Sequence, residues 1–112
     1  MEDTFNSIQQ YISSNDVVLF MKGTKDLPMC GFSSFVASIL KGAKVEFLDV
    51  NVLDDNNIRE GIKKFSNWPT IPQLYIKKEF IGGCDIVKEM CESGELYKTL
   101  DSFGINYTKG AK

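Results

Sequence analysis

The 112-residue sequence has no histidine, three prolines, one tryptophan and only three cysteines, Cys30, Cys84 and Cys91. An odd cysteine count, in a domain large enough to fold without covalent staples, argues against a disulfide framework and for thiols that are reduced at rest. Basic residues are not in excess either. The balance of 13 Lys+Arg against 15 Asp+Glu leaves a net charge of −2, which does not favour a nucleic-acid partner. No apolar run approaches the length of a membrane span. Residues 1–16 carry Glu2 and Asp3 and lack both a basic-then-apolar leader and an Arg-rich amphipathic pattern, so a mature cytoplasmic protein is expected; a processed organellar form would look the same. No internal repeat, low-complexity tract or linker interrupts the chain, and residues 1–112 are expected to form a single domain.

What is present is ordinary for a folded globular protein, with 43% hydrophobic and 25% charged residues. Phe5, Ile8, Tyr11 and Ile12 recur at helical spacing over residues 4–14, and Asn15-Asp16 then breaks the pattern before a buried strand, Val17 to Met21. Lys22 to Met29 reads as a loop. A second helix carries Phe32, Phe35, Val36, Ile39 and Leu40 and ends at Gly42. Val45, Phe47 and Asp49-Val50 predict a short strand, and residues 55–65 a third helix through Ile58, Ile62 and Phe65. Gln73–Ile76 and Glu79–Ile81 predict a hairpin turning at Lys77-Lys78. Gly82-Gly83 introduces a last helical region, continued after Gly94 by Leu96, Leu100 and Phe103, and the tail from Tyr107 is expected to fray. The order α-β-α-β-α-β-β-α-α describes an α/β domain with a small mixed sheet.

Three segments are candidates for chemistry. Cys30, in Cys30-Gly31-Phe32-Ser33, lies at a loop-to-helix junction, where unpaired backbone N–H groups favour a thiolate, both nucleophile and metal ligand; the plain alternative is a small core cysteine. Lys22 and Lys25 precede it and are candidates to add positive potential. Trp68-Pro69-Thr70-Ile71-Pro72 is stiffened by two prolines, with room for a cis peptide, and its backbone at Ile71 is suited to pairing with an extended peptide; alone it also reads as a rigid loop. Gly82-Gly83-Cys84-Asp85 opens a helix where N–H groups bind a carboxylate and Asp85 can meet an α-amino group, or it is a simple N-cap. Arg59 and Lys22 are candidates for a second carboxylate. Cys91, beside Val87 and Met90, reads as structural, and Met29 has no assigned role.

Lys22-Gly23, Cys30-Gly31-Phe32-Ser33, Trp68-Pro69-Thr70-Ile71-Pro72-Gln73 and Gly82-Gly83-Cys84-Asp85 stand in the order and spacing of the monothiol glutaredoxins, which the chain resembles from about residue 5 to residue 103. The resemblance implies a thioredoxin-like fold, a four-stranded mixed sheet flanked by helices, with a cis peptide before Pro72 and a glutathione groove. It places the glycine carboxylate of glutathione on Lys22 and Arg59, the cysteinyl part along the backbone of Ile71, and the γ-glutamyl end at Cys84 and Asp85. Phe32 and Trp68 would line the site. It makes Cys30 the catalytic thiol and the ligand of a [2Fe–2S] cluster that bridges a homodimer and passes to iron–sulfur apoproteins and assembly factors, the protein being monomeric without it. Each subunit would supply Cys30 and one glutathione thiolate, four ligands for two irons.

Ser33 stands where a dithiol enzyme has its second cysteine, so the motif forms no internal disulfide and general disulfide reduction should be weak. The competing function is a glutathione-dependent oxidoreductase that removes glutathione from protein mixed disulfides through Cys30. A third is a sensor pairing Cys30 with Cys84, which requires Cα atoms within about 7 Å.

Overall fold

The first strand sets the layering. In the computed structural model, which describes residues 2–109, β1 (Val17–Met21) is buried at every position. Val17, Leu19 and Met21 point to one face of the sheet and Val18 and Phe20 to the other, as the twofold period of a strand requires. Both faces must therefore be covered. Among the described residues the remaining elements are α1 (Glu2–Ser14), α2 (Gly31–Gly42), β2 (Leu48–Asn51), α3 (Asn56–Ser66), β3 (Gln73–Ile76), β4 (Glu79–Gly82), α4 (Cys84–Ser93) and α5 (Glu95–Ser102). The strands form one four-stranded sheet in the order β2-β1-β3-β4, with β2 parallel to β1 and the other pairings antiparallel. This is the thioredoxin-like arrangement.

Ile8 and Ile12 of α1 and Ile58 and Ile62 of α3 cover one face together with Val18, Phe20 and Tyr75. Val36, Ala37 and Leu40 of α2, Val87 of α4 and Leu96 and Leu100 of α5 cover the other. Asp55 caps α3 by accepting a hydrogen bond from the Asn57 N–H at 2.9 Å, and Asn67 ends it in the left-handed conformation, φ 55°. The β3–β4 hairpin turns through Lys77 (φ 49°) and Lys78 (φ 73°), both left-handed as a two-residue turn matching strand twist demands. Asp16 steadies this turn, its carbonyl accepting from the Lys77 N–H at 2.7 Å and its carboxylate lying 3.2 Å from Lys77 Nζ. No described helix is long and apolar enough to cross a membrane.

Two expectations about the elements are corrected. The second strand begins at Leu48; Val45 and Phe47 lie outside the sheet yet are buried in the α2 side of the core, so their apolar spacing reports packing rather than strand pairing. The tail from Tyr107 does not fray where it is described. Tyr107 stacks on Tyr97 with ring centroids 5.2 Å apart, and the Thr108 N–H donates to the Ala43 carbonyl at 2.7 Å. Residues 110–112 lie outside the described part.

Candidate functional site

Sheet topology brings the three motif loops together. Phe20 pairs with Gln73, so the loop after β1 lies beside the loop before β3; Leu74 pairs with Gly82, so β4 finishes at the same end of the sheet. The segments that carry Lys22, Trp68–Pro72 and Gly83–Asp85 thus converge, and a groove of about 550 Å³ opens between them.

Cys30 is the N-cap of α2, with extended backbone (φ −156°, ψ 137°). The Ser33 N–H aimed at its sulfur is the main influence holding the thiol below its usual range; partial burial opposes it, and the Phe32 N–H, the Lys22 charge and the Ser33 hydroxyl add to it. The loop behind it is tied down. The Gly23 N–H donates to Asn51 Oδ1 at 2.9 Å, and the Met29 N–H to the Lys22 carbonyl at 2.9 Å. Gly23 has φ +91°, and a Cβ there would stand 2.5 Å from both the Leu27 carbonyl oxygen and the Met29 nitrogen. Ser33 is fully buried and its hydroxyl accepts from the Lys22 N–H at 3.0 Å. The residue that replaces a second cysteine therefore holds the loop to the helix. Lys25 does not serve the thiol in this way: its ammonium bonds the Phe47 carbonyl and lies 4.3 Å from the Phe47 ring centre.

Lys22, Ile71, Cys84 and Asp85 all line the groove, as do Phe32 and Trp68. Gly83 caps α4 with no side-chain hydrogen bond, leaving the first N–H groups of that helix without a side-chain acceptor at the groove. The Ile71–Pro72 peptide is cis. Arg59 is not among the lining residues; Lys63, one turn further along α3, is, and the Arg59 Nε is buried without a partner. Sequence reasoning missed Lys63, although its i+4 spacing from Arg59 marked the same face. It also gave Gln73 no role, although a polar side chain within an apolar strand was the available signal.

Cys84 and Cys91 are free thiols, as is Cys30. Burial pushes the Cys84 thiol up, as do the charges of Asp85 and Cys30, while Lys88 works the other way. The two cysteines are thus unequal, the Cys30 thiol shifted down and the Cys84 thiol shifted up, and of the two only Cys84 is among the residues that line the groove. Cys91 packs against the α2 side of the core. Chemically the arrangement offers one activated sulfur, cations from Lys22 and Lys63, a free helix N-terminus, and an apolar wall between them.

The glutaredoxin family model matches residues 17–81, more than half of the chain. The chain is 61% identical over 93 residues to a probable monothiol glutaredoxin 2 of Rickettsia typhi, covering 83% of this chain and 84% of that protein. Its fold superposes on the solution structure of a monomeric truncated mutant of Trypanosoma brucei 1-C-Grx1 with a TM-score of 0.85 at 44% identity, covering 92% and 94% of the two chains. A buckwheat glutaredoxin solved as a glutathione complex shares the fold at 24% identity, with a TM-score of 0.81 and 92% of each chain covered. With family model, sequence relatives and fold in agreement, the chain belongs to the glutaredoxins, in their monothiol branch.

Proposed function

We propose that the groove binds glutathione and that Cys30, with the bound glutathione, holds a subunit-bridging [2Fe–2S] cluster for delivery to iron–sulfur apoproteins. The observation that carries this is Cys30 itself: a sulfur favoured as thiolate at the open end of a helix, with the buried Ser33 in place of a resolving thiol. Lys22 and Lys63 take the glycine carboxylate of glutathione; Arg59, one turn back along α3 and outside the groove lining, would reach it only by turning its guanidinium toward the groove. Ile71 pairs its backbone with the cysteinyl part, and the N-terminus of α4 at Cys84 and Asp85 takes the γ-glutamyl end. One Cys30 and one glutathione thiolate from each of two copies make the four ligands that two irons need. Without its cargo the protein is a monomer, since cluster and glutathione are themselves the bridge. The reading covers residues 1–112 as one domain acting in a reducing compartment.

The test is anaerobic reconstitution with iron, sulfide and glutathione, followed by visible absorption, circular dichroism and sizing. A coloured dimer that needs both glutathione and Cys30 is expected; Cys30→Ser should stay folded, colourless and monomeric, and chelation of the iron should return the wild-type dimer to monomer. Formation of the same chromophore by Cys30→Ser would defeat the proposal.

The thiolate-favouring surroundings of Cys30 also support the oxidoreductase reading. There the Cys30 thiolate attacks the glutathionyl sulfur of a mixed disulfide, the protein thiolate leaves, and a second glutathione restores Cys30 while forming glutathione disulfide. Turnover of a glutathionylated protein at the rate of a dithiol glutaredoxin, with no cluster formed under any condition, would select it.

A further inference from the structure

One side chain behind the groove belongs to none of the chemistry above. Gln73, the first residue of β3, is fully buried. Its Nε2 donates to the Trp68 carbonyl and to the Thr70 carbonyl, each at 3.1 Å. Two carbonyls that converge on one nitrogen need a donor with two hydrogens, and burial requires it to be uncharged; a side-chain amide meets both conditions, and asparagine is one methylene shorter. The segment so gripped, Trp68 to Pro72, forms one whole wall of the groove. Gln73 Oε1 and Trp68 Nε1 are each buried without a partner.

We infer that Gln73 is a positioning residue for the ligand: its amide ties off the carbonyls of Trp68 and Thr70, fixes the direction the wall faces, and so presents the Ile71 backbone to the bound tripeptide. The inference rests on the glutathione reading of the groove for its ligand. The grip on the wall is independent of that reading. A carboxylate at position 73 would face two carbonyls with no hydrogen to give, whereas its protonated form would restore one of the two bonds, so Gln73→Glu should behave differently on the two sides of its titration.

The experiment is isothermal titration of S-methylglutathione, which has no free thiol, into wild type, Gln73→Met and Gln73→Glu. Acrylamide quenching of Trp68, the sole tryptophan, and far-ultraviolet circular dichroism are followed on the same samples. Gln73→Met should keep its helical spectrum, change the quenching of Trp68, and bind about tenfold more weakly. Gln73→Glu should lie close to wild type in affinity and quenching on the acid side of its own titration, where the buried carboxyl is neutral and donates one bond, and fall to the level of Gln73→Met on the alkaline side, relative to wild type at the same pH. Unchanged affinity in a folded Gln73→Met, whether or not quenching changes, would overturn the inference. If Gln73→Met does not fold, the acid-to-alkaline fall of Gln73→Glu decides, and its absence counts against the inference. Failure of wild type to bind at all would overturn the glutathione reading, and the quenching comparison alone would then decide whether Gln73 orients the wall.

Discussion

At Cys30 opposing effects act on one sulfur. Burial alone would keep the proton on, but the Ser33 and Phe32 N–H groups and the Lys22 charge act the other way and prevail, whereas at Cys84 burial prevails. Iodoacetamide alkylation followed by peptide mass spectrometry across pH should therefore show Cys30 reacting with a midpoint below that of Cys84, and Lys22→Ala should move the Cys30 midpoint upward while leaving the fold unchanged. Equal midpoints for the two cysteines would contradict this. Gly23 matters to the same sulfur through the backbone. Its left-handed φ of +91° and the 2.5 Å approach to two backbone atoms leave no room for a methyl group. Gly23→Ala should cost about 2 kcal/mol by urea unfolding and raise the Cys30 midpoint as the loop shifts.

Elements in this chain end where local chemistry stops them, and the ends can be tested one at a time. Asp55→Ala removes the side-chain acceptor at the start of α3 and should cost about 1 kcal/mol, read as a lower urea midpoint at unchanged m-value. The β3–β4 turn works in the opposite direction. Lys78 holds a left-handed φ of 73° with a full side chain, so Lys78→Gly should stabilise the protein by up to about 1 kcal/mol. Lys77 is the worse target, because its ammonium lies 3.2 Å from the Asp16 carboxylate. Helix and strand identities were legible in the sequence because their periods are local. The start of β2 was not: Val45 and Phe47 carry an alternating pattern that the core uses without any strand, and nothing within four residues distinguishes the two uses.

For the whole molecule, the buried ring of Tyr75 links stability to alkaline pH. It packs 5.7 Å from Phe20 and 5.4 Å from Phe80 between ring centres, and burial pushes its phenol up to about 12. The folded state then binds the proton more tightly than the unfolded chain, whose phenol titrates near its ordinary value of about 10. The contribution is complete below that value and is lost as pH rises from about 10 toward 12. Urea midpoints measured at pH 9 and 11 should fall, and Tyr75→Phe should fall less.

Much of the candidate site could be read from residues near one another in the chain. Cys30 at a helix start, the proline pair around Thr70 and Ile71, and the glycines before Cys84 each declare a local geometry, and the absence of a second cysteine at Ser33 excludes an internal disulfide in that motif whatever the fold. Which residues share the groove was a matter of tertiary structure. The antiparallel pairing of β1 with β3 and of β3 with β4 delivers the three loops to one end of the sheet; the second pairing is a local hairpin, but the first depends on contacts between residues more than fifty apart. The same long-range packing decides that Lys63 lines the groove where Arg59 does not, that Lys25 turns to Phe47 and away from the thiol, and that Tyr107 is pinned against Tyr97. Local sequence determines backbone propensity and the chemistry available; the direction in which each side chain spends it is settled by burial, which is a property of the folded whole.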